Sequence, residues 1–170
     1  MIQLHGYGDP LLDKNIGKVV KILSNYGFES YFSCTPANIN VEKIVEMMDF
    51  GLDYLKYSFE STDDVKFKEV RGNAANFNEA YKKTVEVLSI KEQRGFNTKI
   101  IITMIDIGHN EEQREEYRKL REVFEGLDVY IYLKSEDQQW YRKDENGDTY
   151  YQYWDLDSLV SEYADLHYSN

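Results

Sequence analysis

The segment Leu4-His5-Gly6-Tyr7-Gly8-Asp9-Pro10-Leu11-Leu12 has the makings of a small-ligand loop: an apolar start, two glycines, a carboxylate and a proline. Set between a strand and a helix, such a loop turns backbone donors and acceptors toward one spot beside the acid. A plain strand-to-helix turn accounts for the same residues. Glu60 and Asp106 follow apolar runs and stand where acid–base work is possible, although strand-end carboxylates also occur in polar loops without it. His5, His109 and His167 match no zinc spacing and read as turn or surface histidines. The single thiol, Cys34, can make no internal disulfide, cannot hold an iron–sulfur cluster alone, and reads as a small buried residue. No phosphate-binding loop of the Walker type is present.

Positioning these residues falls to strands and helices that alternate. Ile2 to Leu4 is a short strand running into the glycine turn, and Ile16, Val19, Val20, Leu23 and Tyr26 recur at helical spacing between Asn15 and Gly27. Phe28 to Cys34 is a strand closed by Pro36; Asn40 caps a helix with Val41, Ile44, Val45 and Met48 inward, Met47 beside them, ended by Gly51. Leu52 to Phe59 is the next strand. After a polar, charged connection, Asn76 to Arg94 forms a helix ended by Gly95. Lys99 onward contains the strongest strand, Ile100-Ile101-Ile102 extended through Ile105 and Ile107, suited to burial on both faces. A charged helix, Glu111 to Glu125, and a strand, Val129 to Leu133, complete the series.

Five strands and four helices in alternation predict an α/β fold of repeated βα units around a parallel sheet, either a barrel or an open doubly wound sheet. In both, the loops after Leu4, Cys34, Phe59, Ile107 and Leu133 share the edge where ligands bind. The boundary is expected at residue 134. From Ser135 onward nine acidic residues stand against two basic ones, amid six tyrosines and tryptophans from Trp140 to Trp154. Asn146-Gly147 predicts a hairpin joining Trp140 to Lys143 with Thr149 to Trp154, then a short helix from Leu156 to Leu166. This appendage, 135–170, packs on the barrel mouth, covers a sheet edge or meets a partner.

The balance of 31 acidic against 20 basic side chains gives a net charge of -11, which repels nucleic acid and anionic membrane surfaces. No apolar stretch is long enough to span a bilayer and no signal peptide opens the chain, so a cytoplasmic location is expected.

The loop motif is similar to the Gly-Gly-Glu-Pro-type segment that follows the second strand of radical SAM enzymes, with Asp9 in the place of glutamate and Leu11-Leu12 matching the usual apolar pair. Ser33-Cys34-Thr35-Pro36-Ala37-Asn38 resembles the end of the third strand in that family. Tyr57-Ser58-Phe59-Glu60 resembles the end of the fourth, and Val70-Arg71-Gly72 followed by Asn73 to Phe77 resembles its Arg-Gly segment. The resemblance covers Ile2 to Lys134 and aligns these strands with the second through sixth of a six-stranded partial barrel.

It implies S-adenosylmethionine as the cofactor, with Gly6, Gly8 and Asp9 at its amino group, Ser58 near its ribose or carboxylate, and Arg71 paired with that carboxylate. From the residues alone, Arg71 pairs equally well with Asp63, Asp64 or Glu69. The parent family holds a [4Fe-4S] cluster on a Cys-x3-Cys-x2-Cys loop and cleaves S-adenosylmethionine to a 5'-deoxyadenosyl radical. Those ligands are absent from this chain. The expectation is a radical SAM core fragment, inactive alone, that lacks the first strand–helix unit through a shortened chain, an alternative start at Met1 or a broken gene. Its substrate is an unspecified small molecule or peptide. A cluster-free module for an S-adenosylmethionine-like ligand or a protein partner, and an unrelated parallel α/β enzyme, are the competing readings. The unpaired edge at Ile2 to Leu4 predicts dimerisation or poor solubility unless covered.

Overall fold

Five parallel strands lie side by side in chain order: β1 (Ile2–Gln3), β2 (Ser30–Cys34), β3 (Tyr54–Ser58), β4 (Lys99–Asp106) and β5 (Tyr130–Ser135). Between them run α1 (Ile16–Asn25), α2 (Val41–Asp49), α3 (Asp64–Arg71), α4 (Phe77–Arg94) and α5 (Glu111–Val123). The computed structural model describes residues 1–6, 8–106, 111–135, 142–143 and 149–150. The chain divides into two units, Met1–Ser135 and Glu136–Asn170; in the second, β6 (Arg142–Lys143) pairs antiparallel with β7 (Thr149–Tyr150). The expected helix from Leu156 to Leu166 lies outside the described residues. No described helix is long and apolar enough to cross a membrane.

Alternation along each strand decides how the sheet is covered. Phe32 and Cys34 on β2, Leu55 and Tyr57 on β3, and Ile100, Ile102 and Met104 on β4 share one buried cluster with Val20, Ile44, Phe67, Val87 and Leu120 from the five helices. Every described helix therefore contributes to the same face. A doubly wound sheet would place helices on both, so of the two arrangements open from the sequence the partial barrel is the one observed.

Three helices end alike. The residue after the terminal glycine donates to a carbonyl five positions back: Phe28 to Leu23, Leu52 to Met47 and Phe96 to Lys91, each at 3.0 Å. This is the six-to-one bond of a Schellman cap. Gly51 is the tightest case, with φ +90° and only 2.5 Å from an added Cβ to Ser24 Oγ.

The helix α3 falls in the stretch that reads as a connection. Of its apolar residues only Phe67 is buried, while Val65 and Val70 are exposed, so no stripe announces it. Its signal is polar: Asp63 accepts from the amides of Val65 at 2.9 Å and Lys66 at 3.0 Å. Two expectations at α1 are corrected. Tyr26 is 77% exposed because the helix has ended at Asn25, and Phe28 is exposed because β2 starts only at Ser30.

Candidate functional site

The parallel order brings the loops after β1, β2 and β3 to one edge. After Leu4, whose amide donates to Tyr31 O at 2.8 Å, Gly6 and Gly8 form an isolated antiparallel bridge with each other. Gly8 has φ +94°, which the tight reversal requires and a side chain would resist. Asp9 then joins two loops. Its Oδ1 accepts from Leu11 N at 2.9 Å, capping the Pro10–Leu12 turn, while Oδ2 accepts from Thr35 N at 2.8 Å and Asn38 Nδ2 at 3.1 Å. A carboxylate has about four acceptor positions, so one on Oδ1 is left for a ligand cation.

Ser58 ends β3, with its hydroxyl 3.5 Å from that of Ser33 on β2. Arg71, in the last turn of α3, donates through Nη2 to Ser58 O at 2.9 Å and pairs with Glu60. Glu60, rather than Asp63, Asp64 or Glu69, is its acid. Its Nε is buried and has no hydrogen-bond partner among the described residues. A buried guanidinium donor without an acceptor is costly, and a carboxylate beside it would relieve that cost.

One histidine reading differs from expectation. His5 is half-buried: Nδ1 accepts from Ser33 N at 3.0 Å, so the ring proton sits on Nε2 and is donated to the Gln3 side-chain amide 2.7 Å away once that amide turns its oxygen to the ring. Burial first, then the charges of Lys56 and Lys134, lower its pKa to about 4. No sequence spacing marks this role; only the β1–β2 register supplies it. The native value lies below the ordinary 6.5, so the unfolded chain takes the proton first as pH falls. Stability from this group is full above about pH 6.5 and is lost toward pH 4. Urea midpoints at pH 7 and pH 5 should separate more for the native chain than for His5→Gln, which keeps an acceptor but cannot protonate. Equal slopes would rule His5 out.

The acid–base candidates divide. Glu60 stands at the edge but is held by Arg71. Asp106 alternates with Met104 and so belongs to the helix side of β4, not the open face. His109 lies outside the described residues, as does His167. Cys34 is buried, its Sγ 3.7 Å from Lys56 O. Burial, followed by Asp9, pushes its thiol well above the usual range. Such a sulfur stays protonated and does not fit a cluster that binds thiolates. Among the described residues no group of three or more His, Cys, Asp or Glu is placed to hold a metal ion.

Parallel strands in sequential order, helices gathered on one face and a loop cluster at the carboxyl ends define a partial (βα) barrel. No family model matches the sequence. Solved structures do resemble it. A domain of pyruvate-formate lyase-activating enzyme from Bacteroides vulgatus superposes with a TM-score of 0.60 at 13% identity, over 96% of this chain and 94% of that one. SuiB from Streptococcus suis matches with a TM-score of 0.58 at 13% identity, and its S-adenosylmethionine-bound structure with 0.59 at 11%. The chain spans 36% of SuiB. These neighbours are radical SAM enzymes, and the fold implied by the motif order is the fold they share with this chain.

Proposed function

We propose that the chain forms the S-adenosylmethionine-holding part of a radical SAM enzyme core. The observation that carries this reading is the buried Nε of Arg71, without a hydrogen-bond partner among the described residues, beside Ser58 at the strand edge of a fold shared with SuiB in its S-adenosylmethionine-bound structure. In this reading the ligand carboxylate meets Arg71, its ribose lies near Ser58, and its ammonium approaches the Gly6–Gly8 backbone and the remaining acceptor position of Asp9. Glu60 and the Ser58 carbonyl keep the guanidinium in place for that contact. The residues present fit S-adenosylmethionine and do not fit its usual [4Fe-4S] partner, since 170 residues offer one buried thiol. The three thiolates for reductive cleavage would come from outside these residues.

Calorimetric titration of the full chain with S-adenosylmethionine should give saturable binding at about 10–100 µM, the range of a few well-placed polar contacts. Arg71→Met should weaken it about tenfold or more, one charge-assisted contact being worth roughly 1.5–3 kcal/mol. Ser58→Ala should weaken it about threefold. Absence of binding by protein with a native circular dichroism spectrum would refute the reading.

A further inference from the structure

The link from β3 to α3 lacks backbone support among the described residues. The amide of Phe59 donates to Thr103 O at 2.8 Å, and the next backbone–backbone bond is the one from Phe67 N to Asp63 O at 2.9 Å. Side chains hold the link instead. Ser61 is 2% exposed, and its hydroxyl works in both directions: it accepts from Asp63 N at 3.0 Å and donates to Glu116 Oε2 at 2.8 Å. Glu116 belongs to α5, 55 residues further along the chain, and is itself only 7% exposed. Its other oxygen accepts from Lys119 Nζ at 3.1 Å and lies 4.0 Å from Lys66 Nζ on α3.

A buried carboxylate contributes little net stability, because the cost of desolvating it offsets its ion pairs. An apolar side chain would serve the packing of α5 as well, as the completely buried Leu120 does one turn on. What the acid supplies is a fixed point for Ser61. That residue is next in the chain to Glu60, whose carboxylate pairs with Arg71. The Ser61 hydroxyl also bonds the amide of Asp63, the cap of α3, and Arg71 is the last residue of that helix. Other contacts fix α3 elsewhere: Phe67 is its one buried residue, and Asp64 accepts from Phe77 N at 2.6 Å and Asn76 Nδ2 at 3.1 Å. Neither of them reaches Glu60.

We infer that Glu116 is a positioning residue for Arg71. Acting through Ser61, it sets Glu60 and the entry of α3, so that the guanidinium is held with its Nε toward the place of a ligand carboxylate. The assignment deepens the function proposed above and rests on it only for what Arg71 receives.

The Arg71 Nε proton can be followed in ¹⁵N–¹H spectra of the full chain with no ligand added. Its exchange with water should be about tenfold faster in Glu116→Met and in Ser61→Ala than in the native chain. Glu116→Gln, which still accepts from Ser61, should leave it unchanged. Affinity for S-adenosylmethionine should fall about fivefold in the first two variants and hold in the third. In an Arg71→Met background neither of the two should lower it further. Val87→Ala, which opens a void at a completely buried position in α4, should lower the urea midpoint and leave both readouts as they are. Either Glu116→Met or Ser61→Ala suffices if the other fails to fold. Unchanged Arg71 exchange, an equal loss in Glu116→Gln, or a loss of affinity that persists without Arg71 would overturn the assignment. Native protein that shows the exchange pattern but binds no S-adenosylmethionine would refute the cofactor reading and leave the positioning role standing. Cofactor binding with no change in exchange would refute the positioning role alone.

Discussion

Phe59→Ala should lower the free energy of unfolding by about 4 kcal/mol, the upper part of the range for removing a buried phenylalanine. Phe59 is completely buried at the end of β3 and its ring lies 6.0 Å from that of Phe67, 5.8 Å from Phe77 and 5.5 Å from Phe124. Those partners come from α3, α4 and the residue after α5, so one ring holds three helical segments against the sheet. Removing it leaves a void among rigid aromatics that cannot collapse inward together. Its backbone adds a second effect, because its amide donates to Thr103 O at 2.8 Å and Ser58 and Glu60 flank it. Urea unfolding should therefore show the large stability loss together with weakened S-adenosylmethionine binding. A loss under about 1 kcal/mol would mean that the aromatic cluster does not support the site as described.

Asp9→Ala comes next in expected effect, at about 3 kcal/mol. Three donors lose a charged acceptor at once, and two of them, Thr35 N and Asn38 Nδ2, belong to the loop after β2. Hydrogen bonds to charged groups contribute roughly 1.5–3 kcal/mol each but do not add fully when they share one acceptor. Asp9→Asn should recover little. Its amide nitrogen would face either the Leu11 amide or the pair of donors from Thr35 and Asn38, placing donor against donor. Asp9→Glu should be intermediate, since the longer side chain moves the carboxylate off both loops. Denaturation midpoints for the three variants in the order glutamate, asparagine, alanine would agree with this geometry. An asparagine variant as stable as the native chain would show that Asp9 acts only on a ligand, not as a tie between loops.

Much of the architecture is legible in local pattern because local pattern has a local cause. The β-branched run at Ile100 to Ile102 needs a buried strand wherever it sits. Asn40 and Asn76 accept from Lys43 N at 2.9 Å and Glu79 N at 2.8 Å as helix caps do, and Gly27, Gly51 and Gly95 end helices for steric reasons that need no tertiary contact. The order of the loop motifs likewise identified the fold that the solved structures share. Where tertiary forces override the pattern, the reading fails. Tyr26 keeps the spacing of its helix but is left outside it, and α3 has no apolar stripe because only Phe67 meets the core.

The roles of the site residues are a different matter. Alternating strands and helices required that the Gly6–Asp9 loop, Ser58 and Arg71 gather near one edge, since parallel strands share a direction. Which atom meets which was decided by register. His5 became an acceptor for Ser33, Asp9 a tie to Thr35 and Asn38, and Arg71 the partner of Glu60 across separations of 28, 26, 29 and 11 residues. Helix and strand signals arise from neighbours a few positions apart and are written along the chain. Hydrogen bonds and fields between strands depend on the packed sheet and its curvature, which exist only once the distant segments have come together.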